Sequence, residues 1–439
     1  MTEGQAGRYR YVIFAMIVLI SLVNYVDRGA MAFAAGPINT EYGFNRIAWG
    51  QVLGYFGYGY MFGALIGGAL ADRLGPRRVW IIVGSAWSAF EIATAYSGEI
   101  GMAMFGGSAL AGFAVVRVLF GLAEGPTYSI INRTMANWAT PRERSFAVSL
   151  GLLGVPVGAL LSAPVAVGLI LATGSWRLMF VVLGVVSLLL LAVFARMLTD
   201  KPEEHKKVSA DELNEIVGSK LASDASGRNA PPQRWQKFFS NRTLVCNTIG
   251  YFAFQYVNFM ILSWIPKYLE DQFHFNLQSV WYIAMIPWIG PCFTVILGGR
   301  LSDWILRRTG KLHLARNGLA ASVLLLTTAT FLLVSRATGP IDVVALLAIG
   351  NSLNFLANPV YWTVVIDTAP ESTGTFSGIM HFFVNIAAVA APMLTGYLSQ
   401  HYGYSSMFVA TACITLTGTV AMLCVRRQTT SVSVSVNAG

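Results

Sequence analysis

Twelve apolar blocks, each about 20 residues or longer and so long enough to cross a bilayer as a helix, run along this chain. They fall at roughly 10–35, 48–71, 78–97, 106–136, 143–172 and 176–198, then at 243–269, 277–301, 315–335, 341–366, 373–400 and 404–425. Backbone groups cannot go unpaired in lipid, so such blocks can only be helices or strands of a closed barrel, and blocks this long are helices. A soluble domain carries about 25% charged residues. Here 12% of 439 residues are charged and 55% are hydrophobic, with mean hydropathy +0.58. There is too little polar side chain to coat a water-soluble globule. The expected fold class is an all-α membrane protein of twelve transmembrane helices. Blocks longer than the hydrocarbon requires imply tilt or extension into the interface.

The net charge is +9. On a soluble chain that excess would suggest nucleic acid, but here Lys and Arg sit between the apolar blocks and read as topology. Arg8 and Arg10 precede the first block, and Arg142 and Arg144 join the fourth and fifth. Lys201 to Arg242 fill the middle, Arg300 to Arg316 join the eighth and ninth, and Arg426 and Arg427 follow the last. The alternate loops hold few: mainly Arg46, Arg177 and Arg336. Both termini and the central stretch are therefore expected to be cytoplasmic. The first block is expected to be retained, with no small-residue cleavage site after a short apolar core, and the short termini favour a bacterial inner membrane. Cys246, Cys292, Cys413 and Cys424 all lie in apolar segments without metal-ligand spacing and are expected to be packing residues.

Three units follow: 1–198 with six spans, a linker at 199–241, and 242–439 with six more. The linker mixes charge signs with Pro231-Pro232 and reads as hinge-like, except that Ser209 to Leu221 can form a short amphipathic helix capped at Ser209. The halves echo each other. Gly68-Ala-Leu-Ala-Asp72-Arg73-Leu-Gly75-Pro-Arg77-Arg78 follows the second span of the first half; Gly299-Arg-Leu-Ser-Asp303-Trp-Ile-Leu-Arg307-Arg308 follows the second span of the other. Internal symmetry of this kind is how many secondary transporters are built. The charged residues of the two copies, Asp72, Arg73, Arg77, Arg78 and Asp303, read as conformational: contacts at helix ends that form in one state and break in another. The glycines and prolines of span five (Gly151, Gly154, Pro156, Gly158, Pro164) permit the close packing or bending that rocking of the halves requires.

On these residues the chain resembles the major facilitator superfamily. The segment Gly68 to Arg78 is similar to its loop-2-3 signature, and Gly299 to Arg308 to its degenerate partner. More narrowly, the chain resembles the anion:cation symporter family, through Asn24-Tyr-Val-Asp27-Arg28, Arg117-Val-Leu-Phe-Gly-Leu-Ala-Glu124, Asn137-Trp138-Ala-Thr-Pro141-Arg-Glu143-Arg144 and Pro202-Glu-Glu-His205. The resemblance runs over nearly the whole chain. It implies two pseudo-symmetric six-helix bundles and proton-driven import of an organic anion by a carrier that commonly works as a monomer.

Charge at membrane depth costs about 3 kcal/mol per residue on insertion scales, so Asp27, Arg28, Arg117 and Glu124 need a reason to be there. Arg117 and Glu124 are seven apart, about two turns, and share a face. Two self-satisfied ion pairs are one reading. The functional reading uses their chemistry. Arginine keeps its charge and offers a planar fork that fits a carboxylate, so Arg28 and Arg117 suit an anion clamp. A carboxyl removed from water can cycle a proton, so Asp27 and Glu124 suit proton coupling. The resemblance implies the same roles. Tyr25, and Tyr60 by its match to a substrate-contacting tyrosine of sugar-acid carriers, are candidates for binding, with Tyr55 and Tyr58 unranked beside them. In the second half Trp362 and the pair His381 and Asn385, four apart on one helix face, are candidate pathway residues, while Gln255, Tyr256, Asn258, Asn354 and Asn358 either line it or glue helices. The resemblance would put asparagine at His381, which leaves room for a different substrate and for a titrating imidazole. Glu91 is a second departure; it reads as lying near the outer interface and is assigned no role.

No nucleophile–base pair, metal cluster or phosphate loop is legible. An enzyme, a catalytic residue, a metal, a cofactor and a nucleic-acid partner are therefore not expected. The competing reading is a proton-coupled exporter or antiporter of metabolites or drugs, against which paired arginines argue for cationic cargo.

Overall fold

Lipid leaves the chain no backbone partner but itself, and the computed structural model is helical throughout its described residues, 9–140, 144–225, 234–369 and 373–425, with no strand among them. The helices are α1 (Arg10–Phe33), α2 (Ala35–Tyr42), α3 (Arg46–Leu74), α4 (Pro76–Thr94), α5 (Ser97–Met104), α6 (Ala109–Glu124), α7 (Thr127–Trp138), α8 (Arg144–Thr173) and α9 (Trp176–Met197). Then come α10 (Ala210–Ala225), α11 (Lys237–Ser240), α12 (Arg242–Phe273), α13 (Leu277–Thr309), α14 (Leu319–Val334, entered through a π turn), α15 (Pro340–Thr368), α16 (Thr373–Val384), α17 (Ala387–Tyr402) and α18 (Ser405–Leu423). Among the described residues ten stretches are long and apolar enough to cross a bilayer, and α4 with α5, bent by 79°, makes an eleventh. The 29-residue α3, dense in glycine and tyrosine, completes the twelve by length. The chain is a multi-pass membrane protein.

Exposure runs opposite to that of a soluble helix. On α9, Val186, Leu188 and Leu189 are exposed while Gly184 and Ser187 face inward, as lipid outside and a packed interior require. Asn45, Ser108, Asn241 and Asn276 cap α3, α6, α12 and α13 by accepting orphan backbone N–H bonds. Span four breaks between α6 and α7 at Gly125-Pro126, directly after Glu124, because Pro126 cannot continue the backbone ladder. Inside α13, Pro291 leaves the carbonyl of Pro287 without its helical donor, and Asn351 Nδ2 donates to that oxygen at 2.9 Å.

In the first half α1 packs on α8, α3 on α6 and α4 on α9; in the second α13 packs on α15 and α14 on α18. The halves meet through α3 with α17, α8 with α13 and α1 with α12. The N-terminal end of α3 touches the C-terminal end of α17, so the start of α1 and the end of α18 both lie on the opposite side of the molecule. The side away from the termini, here the distal side, is closed. There Arg46 donates to the Ser399 carbonyl at 2.9 Å, approaches Asp271 at 3.5 Å and lies 4.4 Å from the Tyr404 ring centre. Tyr404 and Lys267 also hold Asp271, at 2.6 and 2.7 Å. Exposed pairs contribute at most about 1 kcal/mol each. Arg46→Gln should therefore leave the fold intact yet raise distal-side labelling of a cysteine placed at Ser263 about fivefold, the population change that about 1 kcal/mol produces; unchanged labelling would mean the Arg46 contacts do not hold this closure.

The linker differs from a free hinge. Its helix forms with the expected cap, Ser209 Oγ accepting from Glu212 N–H at 3.2 Å. It is seated on the first half: Glu212 accepts from the N–H groups of Tyr9 and Arg10 at 3.0 and 2.9 Å, and Glu215 pairs with Arg10 at 2.8 Å. His205 stacks on Tyr9 at 4.1 Å, and Asn137 and Trp138 donate to the carbonyls of Asp200 and Thr199. Pro231-Pro232 lies outside the described residues, as do Pro141 to Glu143.

Candidate functional site

Among the described residues three acids and two arginines meet inside the first half. Residues 24–28 lie on α1 where every position is buried, so adjacent Asp27 and Arg28 leave that helix in different directions and find different partners. Arg28 crosses to α6. Its Nε and Nη2 donate to Glu124 Oε2 at 3.2 and 2.9 Å, and Nη2 also reaches Asn24 Oδ1 at 3.3 Å. Its guanidinium carbon lies 4.4, 4.5 and 5.0 Å from the ring centres of Tyr60, Tyr25 and Phe56. Stacking of this kind offsets part of the cost of burying the cation. Asp27 does not join an arginine. Its Oδ2 accepts from Trp87 Nε1 on α4 at 3.0 Å and from Ser187 Oγ on α9 at 2.9 Å. The reading of two self-satisfied ion pairs is thus half met: Glu124 has Arg28, whereas Asp27 is held by neutral donors.

Arg117, 2% exposed, lies over Phe56 and Phe120 at 5.1 and 5.2 Å. Its Nε and Nη1 donate to nothing, and Arg28 Nη1 and Glu124 Oε1 are also unpartnered. Phe56 thus lies against two guanidinium groups that each carry unused donors. Both arginines border a free space of about 10 Å³ between the halves, with Phe259 and Ala388 opposite, room for about one water.

Glu91 corrects the sequence reading. It is not at an outer interface: it is fully buried (0% exposed), one turn along α4 from Trp87, and within electrostatic reach of Asp27, Arg117 and Glu124. The i, i+4 spacing of Trp87 and Glu91 was the available signal, but nothing in the sequence says which face of α4 turns inward.

Of the span-two tyrosines, Tyr60 is buried against Arg28, while Tyr58 is 41% exposed. Tyr25 reaches across the halves toward Asn258. In the second half Trp362 and His381 lie 5.6 Å apart, and His381 Nδ1 is 3.1 Å from Asn385 Nδ2. Trp362 Nε1 donates to the Tyr251 hydroxyl at 3.1 Å, and His381 lies within electrostatic reach of Arg28. The two candidate groups thus face one centre. Tyr128, Trp87, Ser187, Phe56 and Tyr251 belong to it as well and carried no sequence signal beyond residue type. Asn354 turns out to be glue, donating to the Phe254 carbonyl of α12 at 3.1 Å.

The helix-end residues lie apart from this centre. Arg77 donates from its backbone to Asp200 at 2.8 Å and from Nε to the Ala195 carbonyl at 3.0 Å. Arg73 and Arg78 are exposed, and the side chain of Asp72 is outside what is described. Asp303 pairs with Arg316 at 3.2 Å, and Arg316 also holds Asp367 at 2.9 Å. Among the described residues no cluster of His, Cys, Asp and Glu has the makings of a metal site.

Comparison with known proteins gives this geometry a context. The chain is 30% identical over 425 residues to a probable sulfoacetate transporter of Cupriavidus necator, covering 95% of this chain and 94% of that protein. It is 27% identical to a hexuronate transporter of Bacillus subtilis, with 94% and 93% covered, and 27% identical to a probable galactarate/D-glucarate transporter of Escherichia coli, with the same coverage. Among solved structures, a bacterial homologue of the human lysosomal transporter Spinster in an inward-facing, occupied conformation superposes with TM-score 0.74 at 16% identity, over 94% of this chain and 96% of the other. A D-xylose–proton symporter superposes with TM-score 0.70 at 16% identity, over 95% and 98%. The family profile described as Major Facilitator Superfamily matches residues 17–392, and with the helical architecture above, the chain belongs to the Major Facilitator Superfamily.

Proposed function

We propose that this chain is a secondary active transporter that imports a small organic anion together with protons by alternating access. The carrying observation is the pair of buried guanidinium groups, Arg28 and Arg117, at the junction of the halves with unused donors on both. A buried donor without an acceptor costs about 1–3 kcal/mol, and an anion bound there would remove that cost. In this reading Arg28 and Arg117 hold the anionic group, Tyr25, Tyr60, Trp362, His381 and Asn385 contact the rest of the molecule, and Asp27 and Glu124 carry the protons. The names of the relatives support the substrate class: sulfoacetate, hexuronate and aldarates are all organic anions.

The halves 1–198 and 242–439 rock about the site as a monomer in the inner membrane, with the termini and the 199–241 segment cytoplasmic. The closed distal side then faces outward. Arg73, Arg77, Arg78, Asp72 and Asp303 act at the cytoplasmic ends, where their loss slows turnover more than it weakens binding.

The mechanism follows from the Arg28–Glu124 pair. An arriving anion competes with the Glu124 carboxylate for Arg28, and protonation of Glu124 ends the competition. Proton and anion are then bound together. Glu124→Gln, which imitates the protonated acid permanently, should abolish uphill uptake and spare anion exchange. Intact uphill uptake in that variant would remove Glu124 from the coupling. Uptake by proteoliposomes of radiolabelled sulfoacetate, hexuronate, aldarate, aldonate and aromatic carboxylates, with and without an inward proton gradient, tests the whole reading. Gradient-stimulated uptake of one of them supports it. Movement of neutral or cationic solutes instead would favour an exporter or antiporter.

A further inference from the structure

Among the described residues the first half buries three carboxyl groups, Asp27, Glu91 and Glu124, against two guanidinium groups, Arg28 and Arg117, all at most 5% exposed. Two of the acids are accounted for: Glu124 by Arg28, Asp27 by Trp87 and Ser187. Glu91 has no hydrogen-bond partner at either oxygen, and Arg117 has none at Nε or Nη1. A fully buried carboxylate with no partner is among the least favourable states a side chain can take, and it resolves either by finding a cation or by taking a proton. The charged groups acting on Glu91 are Asp27 from α1 and Arg117 and Glu124 from α6. Arg117 is the one cation among them. The other members of the cluster, Ser187 on α9, Tyr60 on α3 and Tyr128 on α7, are uncharged at neutral pH.

We propose that Glu91 is the exchangeable counter-ion of Arg117: within electrostatic reach of it but not in direct contact in this structure, ionised and balancing its charge when no anion is present, and protonated from the open aqueous side when an anion takes Arg117. This makes Glu91 a third proton site, distinct from the Asp27 and Glu124 sites of the proposed symport on which it builds, and it gives each arginine of the clamp its own acid. Glu124 answers to Arg28 and Glu91 to Arg117. Arg117 borders the space between the halves, so an anion can reach it from there, whereas Glu91 lies behind it on α4, where no direct contact with an anion is needed. Its role is positional: it sets how much of the Arg117 charge is free to bind.

The deciding experiment needs no substrate. Glu91→Gln, Arg117→Gln and the double variant are purified in detergent, and their melting temperatures are compared with the unmodified protein from pH 5 to pH 9, about the span in which a perturbed buried carboxyl titrates. Removing either partner strands the other, so each single variant should melt lower at high pH, and the loss in the double variant should be well below the sum of the two single losses. That non-additivity should shrink toward low pH, where Glu91 takes a proton and the pair dissolves. Additive losses at every pH would overturn the pairing. Non-additive losses that stay constant with pH would overturn the proton exchange, because a fixed structural pair gives that result. If Arg117→Gln fails to accumulate, the carboxylic C=O infrared band of the unmodified protein decides: it must grow on acidification by an amount that Glu91→Gln removes, and an identical band in that variant would overturn the proposal. Failure of the anion uptake panel with this cycle intact would count against the symport reading and leave the Glu91–Arg117 pair standing.

Discussion

Arg28→Met is expected to abolish anion uptake and to destabilise the protein at neutral pH, and Glu124→Gln in the same chain is expected to restore the stability without the transport. Arg28 spends two donors on a single oxygen of a fully buried carboxylate. Breaking a buried pair by removing one partner costs about 3–5 kcal/mol. The stranded Glu124 can limit that loss by taking a proton. Holding a carboxyl of ordinary pKa near 4.3 neutral at pH 7 costs about 3.7 kcal/mol, so the two routes agree on roughly 3–4 kcal/mol. The sign follows from the proton: the loss is fully present at neutral pH and above, and shrinks as pH falls toward the ordinary carboxyl range, where Glu124 would be neutral anyway. Methionine fills the slot between Tyr25, Phe56 and Tyr60 with an apolar chain, which separates loss of charge from loss of packing. Arg28→Lys keeps the charge but loses the fork and the stacking on three rings, and should fall between the two in affinity. Melting in detergent across pH, beside uptake in proteoliposomes, reads both effects. Wild-type uptake by Arg28→Met would remove Arg28 from the anion clamp, and equal melting of the single and double variants would mean that Glu124 is not the group stranded.

The span pattern and the members of the buried charge cluster, Glu91 apart, were largely legible in the sequence, because bilayer thickness and the cost of intramembrane charge act on residue type alone. Arg28, Arg117, Asp27 and Glu124 announced themselves as charges in apolar runs. Which acid meets which base was not legible. Asp27 and Arg28 are neighbours in sequence, yet on a helix neighbours point about 100° apart, and one reaches Trp87 and Ser187 while the other reaches Glu124. Glu91 was misplaced for a related reason: its depth along α4 can be counted, but its azimuth depends on how α4 packs on α6 and α9, which is tertiary information. The helix breaks within spans one, four and eleven were hidden because the apolar blocks run through them, although Pro37 and Pro126 mark two. The linker helix was visible from its cap and pattern, whereas its seat on Tyr9 and Arg10 depends on residues some 200 positions away.

The glycines of α3 separate folding from transport, and the largest contrast expected from single substitutions lies between two positions one side chain apart. A Cβ at Gly57 would sit 2.5 Å from the Ala388 carbonyl carbon and 2.6 Å from the Val389 nitrogen, both backbone atoms of α17 in the other half; at Gly50 it would sit 2.7 Å from the Pro392 oxygen. Gly59 and Gly63 face the other way, onto the backbone of α6 within the same half, around Val118 and Leu122. Backbone cannot give way as a side-chain tip can. At Gly59 a β-branched residue must therefore prise α3 from α6 and disrupt a helix pair that the first half needs in every state; Gly59→Val should fail to accumulate as folded protein. At Gly57 the conflict exists only while the halves are closed on the distal side. Gly57→Val should fold and melt near the unmodified protein, because each half keeps its own packing, but the closed state should be excluded. Transport requires passage through that state, so uptake should be lost while distal-side labelling of Ser263→Cys, in a chain freed of its four native cysteines, rises to a plateau that substrate does not reverse. Normal uptake by Gly57→Val would show that α3 and α17 need not approach this closely during the cycle. Failure of Gly57→Val to fold, beside a well-folded Gly59→Val, would reverse the assignment of the two faces.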